Sequence, residues 1–528
     1  MFATKAEAQG DVYWVRFRDK GIEKPVSISR KAQVRRSLRS SKVDFAWFDQ
    51  PVRAEYLEDL QKKGIQIRNT SRWLNAASAA IDESLIDEIK RLPYVAGISR
   101  VSYYSRPRPL PAGETFFKPS KITAFDYGPS LAQISMIGVD SLHNLGLSGN
   151  GIFIGIMDTG FDTSHVVFSR LRSNNRIVAT YDFINRDSNV VDGPDIQRSH
   201  GTQVLSAIGG FSEGSLIGPA FDASFVLAKT EMFYGENQTE EDNWIAAAEW
   251  MESLGVDIIS SSLGYIDWYD TTQLDGHTAA ITRAAEAAVS LGVIVVNAAG
   301  NEGDTYWRKV IPPADGDSVI AVGAVDNNGV ITAFSSRGPT ADGRIKPDFC
   351  APGASVFLAN WYGGFGFAGG TSFSTPLATG GIALLLEGHP DWNLHDILLA
   401  MTTASSHSYL PNNTYGWGVP DFTAAYYNQM GHLSGSGLPI LIAPHPAIDS
   451  VVFYLSLGGN GAGELAIHDL SGALIREFYI DNGTPGINRF VWDGENSTGR
   501  KVASGIYICQ LATSGRENVE KFLYVSNR

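Results

Sequence analysis

IFIGIM, residues 152–157, is an unbroken apolar run of strand length that ends against Asp158, Thr159 and Gly160. Later runs share its character: FVLAK (225–229), VDIIS (256–260), VIVVNAA (293–299) and SVIAVGAV (318–325). A strand with one wet face alternates apolar and polar residues, so runs without alternation are expected of parallel strands covered on both sides. Between them, NWIAAAEWMESLG (243–255) and HTAAITRAAEAAVSLG (277–292) repeat apolar residues at helical spacing, and each closes on a glycine. This alternation predicts an α/β domain with a doubly wound parallel sheet, whose sites form beyond the carboxyl ends of the strands. Asp158 stands at such an end.

On either side the patterning changes. Residues 11–101 read as a small α+β unit: strand VYWVRF (12–17), helix AEYLEDLQKKG (54–64), a strand pair in IQIRNTSRWLNAASAAI (65–81), helix ESLIDEIKRL (83–92) and strand YVAGISRV (94–101). That order suits an open-faced sheet backed by two helices. RPRPLPAGETFFKPS (106–120) has no periodicity and reads as an exposed linker open to cleavage. After GHLSGSGLP (431–439), short alternating strands separated by GGNGAG, DNGTPG and ENSTGR predict a C-terminal β-sandwich. The expected division is therefore 11–105, a linker at 106–124, 125–430 and 431–528.

A chain of 528 residues exceeds one ordinary core, in keeping with several domains. No stretch of 18 apolar residues is present to span a bilayer, and Met1 to Trp14 lacks the apolar run of a secretory signal. Cys350 and Cys509, in different domains, read as buried apolar residues and not as a disulfide. The net charge of −14 is unevenly placed: residues 1–110 carry 21 Lys and Arg against 13 Asp and Glu, +8, leaving −22 for the remainder. A basic N-terminal unit beside an acidic body suits mutual docking better than a nucleic-acid partner.

Three positions carry chemistry. Asp158 ends an apolar strand; His200, in SHGTQV (199–204), opens a helix; Ser372, in GGTSFSTP (369–376), stands at a helix N-terminus after a glycine-rich approach. Each has an ordinary structural reading as a cap, a packed histidine or a turn former. Together, in the order Asp, His, Ser on a parallel α/β sheet, they point to a nucleophilic hydrolase. The free N–H groups and positive dipole end at Ser372 help hold an oxyanion on an attacked carbonyl. The competing α/β-hydrolase pattern needs a G-x-S-x-G elbow and the order Ser, Asp, His, and Ser372 has neither. Pro376 is expected within the first turn of the helix, where N–H groups lack partners anyway.

The segments GIMDTGFDTSH, SHGTQV, SSSLG, NAAGNEG, KPDFCAPG, GGTSFSTPLATG and YGWGVPD, spread over about 125–430, resemble the subtilisin-like (S8) serine proteases. The resemblance implies a serine endopeptidase in which Asp158 supports His200, His200 is general base and then acid, and Ser372 forms the acyl-enzyme. It implies that Asn301 supplies a side-chain donor to the oxyanion, and that Ser262, Leu263 and Gly264, with Ala299 and Gly300, bind extended protein or peptide substrate. Residues 11–101 resemble the ferredoxin-like prosegment of such proteases, an intramolecular chaperone and inhibitor that is then cut off, so a zymogen is expected, with cleavage between Arg106 and Ala124. The segments HDLSGALIREF, FVWDGENSTGRKVASGIYICQL and KFLYV resemble the FlgD Ig-like or secretion-type sandwiches of exported bacterial enzymes.

The resemblance further implies a secreted or cell-surface monomer with no cofactor for its chemistry, no nucleic-acid partner and no transmembrane segment. Departures from the family pattern are Gln203 in place of a second histidine, and Phe373, Ser374 and Thr375 where Met, Ala and Ser are commoner. The family's strong calcium site draws on an Asp that corresponds to Val167, which leaves that site short of a ligand; acidic loops such as NRDSNVVDGPD (185–195) offer other oxygen ligands. Trp307 and Tyr265 are expected as packing or cleft rim. The alternative from another class is a catalytically silent scaffold on the same fold.

Overall fold

The computed structural model describes residues 11–22, 24–41, 43–101, 110–111, 124–193, 195–232, 240–266, 269–408, 410–428, 440–443, 447–448, 451–457, 463–480, 486–513 and 516–525. The chain divides into two compact units, Met1–Ile397 with Pro411–Val419, and Leu398–Leu410 with Pro420–Arg528.

The N-terminal sheet consists of β1 (Val12–Phe17), β2 (Gln66–Ser71), β3 (Ala76–Ala80) and β4 (Val95–Arg100), antiparallel in the order β2-β3-β1-β4. Tyr13, Val15 and Phe17 pack on one face against Leu60 and Ile89, from the helices Ala54–Lys62 and Ile86–Lys90. The other face is not open as the pattern suggests. Val12 and Trp14, also buried, join a core with Ala247, Ala248, Met251 and Ala284 of the α/β body, so the sheet is covered on both sides.

Two further helices, α1 (Arg30–Arg39) and α2 (Phe45–Asp49), lie between β1 and the helix at Ala54. Apolar periodicity does not announce α1, because its buried face is Ala32, Arg35, Arg36 and Arg39. Those arginines meet acidic residues of the body. Glu252, fully buried, pairs closely with Arg35 and accepts from Arg36 at 2.9 Å and Arg72 at 3.1 Å. Asp257 receives Arg39 at 3.0 Å and Lys31 at 2.7 Å, and Asp242 accepts from the Ser78 hydroxyl at 2.5 Å. The charge asymmetry of the sequence is resolved as discrete buried pairs.

The body is built on seven strands: β5 (Phe153–Asp158), β6 (Ile177–Asp182), β7 (Ser224–Lys229), β8 (Ile258–Ser261), β9 (Ile294–Ala298), β10 (Ile320–Val325) and β11 (Phe349–Pro352). They run parallel in the order β11-β10-β9-β8-β5-β7-β6. From β5 the chain crosses to the edge strand β6 and returns to β7 on the same side, then passes to the other side of β5 and moves outward from β8 to β11. Asp158 therefore lies at the end of the strand where the winding direction changes, the expected place for a site. Around the sheet lie α3 (Ser199–Gly209), α4 (Glu241–Leu254), α5 (Ala280–Ser290) and α6 (Thr371–Gly388). A short antiparallel sheet joins β12 (Val356–Ala359), β13 (Phe365–Gly369) and the linker residues Leu110–Pro111.

The described strands between residues 440 and 525 form a three-stranded and a five-stranded sheet that share a core including Phe453, Ile467, Trp492, Cys509 and Phe522. Neighbouring strands are antiparallel except Ala447–Ile448, which runs parallel to Arg516–Val525. Cys350 and Cys509 are both buried and unpaired with each other, and burial pushes each thiol up to about 12. Among the described residues, no helix is long and apolar enough to cross a membrane.

His143 is a buried histidine fixed as a neutral ring. Its Nε2 donates to the Pro219 carbonyl at 2.7 Å, which leaves Nδ1 to accept the Tyr127 hydroxyl at 2.6 Å. Burial pushes its pKa down to about 4, against ~6.5 in the unfolded chain. The native state thus binds fewer protons than the unfolded state between those values. The stability present above pH ~6.5 is lost as pH falls towards ~4, by on the order of 3 kcal/mol, and not further below. Urea unfolding at pH 7 and 4.5 checks this: His143→Gln is expected to lose that part of the slope, and an identical slope in both proteins would contradict the assignment.

Candidate active site

Asp158 and His200 are brought together by a close approach of two elements. The Asp158 side chain is fully buried, and Thr159 donates to its Oδ1 from the backbone at 2.7 Å and from the hydroxyl at 3.1 Å. His200 is the second residue of α3, and its Nδ1 lies 2.8 Å from both Asp158 oxygens. Gly201 allows this. A Cβ there would lie 2.2 Å from the Gly160 carbonyl oxygen and 3.0 Å from the Asp158 Cβ, so any side chain would push α3 off the strand end.

Ser372 is the second residue of α6, and its Oγ donates to the Ser262 carbonyl at 3.3 Å. The next residue, Phe373, is buried with its ring centroid 5.7 Å from that of His200, so the imidazole and the turn that carries Ser372 share one packing contact. Pro376 falls in the second turn of α6, not the first. It removes the N–H that would otherwise bond to the Ser372 carbonyl four residues back. The Ser262 hydroxyl donates to that carbonyl at 2.8 Å instead, so the strand after β8 and the start of α6 are tied by reciprocal bonds.

Asn301 follows β9, with its Oδ1 accepting from the Thr371 N–H at 2.9 Å and from the Thr371 hydroxyl at 3.0 Å. These two donors use the oxygen and leave the amide group turned towards Gly370. A Cβ built on Gly370, whose φ is +148°, would lie 3.6 Å from Asn301 Nδ2 and 3.7 Å from the Ser372 nitrogen. One small space over Gly370 is therefore bordered by a side-chain N–H and a backbone N–H. Glycine is required there both to reach that φ and to leave the space open. Thr371 is a positioning residue that the sequence reading missed; its only signal was adjacency to Ser372.

Ser262, Leu263 and Gly264 extend past β8 beside Ser372. The Leu263 carbonyl accepts from Asn297 Nδ2 at 2.9 Å, and Leu263 is buried. Ala299 is fully used by the protein, donating to Val322 and accepting from Ile311, and the Gly300 carbonyl accepts from Ser336. Those two residues offer a wall and no open carbonyl. Tyr265 and Trp307 are buried, with Tyr265 donating to Glu231 at 2.7 Å and the Trp307 indole to the Val310 carbonyl at 3.2 Å; both are packing residues.

The donor set at the position implied for calcium does not suit a hard cation. Val167 is fully buried, and it meets Leu216 over Gly210, where a Cβ would lie 2.9 Å from Val167 Cγ2 and 2.6 Å from Leu216 Cδ2. In the acidic loop, the Lys229 ammonium lies 2.8 Å from Asp182 and 2.5 Å from Asp192. The protein's own cation occupies that pair of carboxylates.

With this geometry in view, the comparisons with known proteins are specific. Residues 149–418, over half of the chain, match the subtilase family (peptidase S8), and residues 12–111 match the peptidase S8 propeptide domain of Bacteroidota. Subtilisin E of Bacillus subtilis is 30% identical over 371 residues, covering 69% of this chain and 84% of its own. The major intracellular serine protease of the same organism is 32% identical over 48% of this chain and 73% of its own. Among solved structures, the epidermin leader peptide processing serine protease of Staphylococcus aureus shares the fold, with a TM-score of 0.54 and 17% identity over 79% of this chain and 99% of that one. With strand order, site geometry and both family matches in agreement, the chain belongs to the subtilase family, peptidase S8, and is a serine endopeptidase made with an N-terminal propeptide as a zymogen.

Proposed function

We propose that Ser372 is the nucleophile, His200 the general base and acid, and Asp158 the carboxylate that holds His200. The Ser372 Oγ attacks the scissile carbonyl carbon while His200 Nε2 takes its proton; collapse breaks the C–N bond and His200 gives that proton to the leaving amine. Water then repeats the sequence on the acyl-enzyme. The observation that carries this reading is the space over Gly370, bordered by Asn301 Nδ2 and the Ser372 N–H, where an oxyanion is met by two fixed donors. Asn301→Ala is expected to lower kcat by about 10²–10³-fold with little change in KM; steady-state kinetics on the processed enzyme test it, and a change confined to KM counts against the role. The nucleophile itself is tested by a fluorophosphonate probe and peptide mapping of the label to Ser372.

Residues 11–105 are read as the prosegment, 106–124 as the processing linker, 125–430 as the catalytic domain and 431–528 as the C-terminal sandwich. Self-cleavage is supported by the pairing of Leu110 with Gly369, three residues before Ser372, which sets the linker beside the nucleophile. Most of the expected cleavage interval, 106–109 and 112–123, lies outside the described residues. The buried Val167 and the Lys229 ion pairs support an enzyme that needs no calcium at those two places. We place the protein outside the cell or at its surface, as a monomer acting on extended protein segments, with Ser262, Leu263 and Gly264 pairing the substrate backbone.

A further inference from the structure

Three fixed points set the room for the residue whose carbonyl is attacked. Its carbonyl carbon faces Ser372 Oγ, its oxygen lies over Gly370, and its backbone runs beside Ser262–Gly264. The side chain branches one bond from the reacting carbon. It therefore enters the gap between Gly264 and the Ala299–Gly300 wall that leads into Asn301. Both facing positions are glycines, and two walls without Cβ atoms would by themselves make a deep slot.

That slot is filled from below. A Cβ on Gly264 would lie 2.3 Å from Ile311 Cδ1 and 2.4 Å from its Cγ1, and a Cβ on Gly300 would lie 3.1 Å from both atoms. The ethyl arm of Ile311 thus touches both walls. The backbone that carries it is tied to both walls, the Ile311 N–H donating to the Ala299 carbonyl at 3.1 Å and the Pro312 carbonyl accepting from the Tyr265 N–H at 3.0 Å. Behind it, the side chain packs in a buried cluster with Leu274 and Trp307. A densely packed floor of this kind does not yield to an added methylene without displacing its neighbours.

We propose that Ile311 is the specificity-determining residue of this peptidase, flooring the pocket so that Gly, Ala or Ser is accepted before the scissile bond and aromatic or long side chains are refused. The inference rests on the Ser372 reading above, so the experiment separates the two. In the processed full-chain protein, active sites are counted by fluorophosphonate labelling, and kcat/KM is measured on peptides that differ only at the residue before the bond. Each surplus methylene in a closed pocket costs about 10–200-fold, so Ala is expected to exceed Phe by at least about 100-fold. Ile311→Gly is expected to raise the Phe-to-Ala ratio by on the order of 100-fold, with Ile311→Ala intermediate and informative if the glycine variant does not fold. A labelled wild type that cleaves after Phe or Leu as fast as after Ala, or a profile unchanged in both variants, overturns the proposal. A folded, processed protein that takes no label overturns the nucleophile reading instead, and this inference falls with it.

Discussion

Ser372→Ala is expected to abolish both reactions of the chain: peptide hydrolysis should fall by on the order of 10⁶-fold in kcat, and the precursor should accumulate uncut. The size follows from the way the site is coupled. Nucleophile, base and orienting carboxylate act as a unit, so removing the hydroxyl costs nearly as much as removing all three. What remains is the pair of donors over Gly370, which lends a water-driven reaction a modest residual advantage. The loss of self-cleavage rests on the Leu110–Gly369 pairing, which brings this segment within three residues of Ser372. Electrophoresis of the purified variant and wild type, followed by assay on a common peptide, reads both effects. A variant that is still cut at the same bond during expression shows that another protease does the processing.

In the same uncut background, Glu252→Ala is expected to destabilise the precursor by about 3–5 kcal/mol, because a buried carboxylate is removed from buried guanidinium partners. The partners differ in what they retain. Arg36 keeps Asp49 at 2.8 Å and Arg72 keeps Glu249 at 3.5 Å, whereas Arg35 is left with backbone carbonyls, the nearer being Val256 at 2.7 Å. The cost therefore falls mainly on Arg35, whose side chain is 1% exposed. Glu249 cannot take over, since its two oxygens already accept from Ser71, Arg72 and Trp73. The exposed pair Arg100–Glu83 supplies the contrast, with Glu83→Ala expected to cost under ~1 kcal/mol. Denaturant unfolding of the three precursors decides the matter; equal losses for the buried and the exposed pair would show that the prosegment is not held by this cluster.

The two results bear on one design. The prosegment docks through β1, β3 and α1 onto the helices of the body, and Leu110–Pro111 lie along the strand that runs towards Ser372. The docking that the charge asymmetry predicts is made by arginines in a desolvated contact.

Much of this was legible before any coordinates. The unbroken apolar runs from IFIGIM onward determine parallel strands, because only a strand covered on both faces dispenses with polar residues. The order of Asp158, His200 and Ser372, with the glycine-rich approach to the last, determines the reaction class. Spacing along a chain says nothing of what lies across it, and there tertiary structure alone decided. It put Pro376 in the second turn of α6, with the Ser262 hydroxyl answering the carbonyl it frees. It buried the face of α1, a helix invisible to apolar periodicity because its inward side chains are arginines. It also set Ile311 between Gly264 and Gly300, two glycines 36 positions apart that face each other only when β8 and β9 lie side by side. Local pattern carries burial and hydrogen-bond need; the identity of the partner that meets the need is a property of the packed molecule.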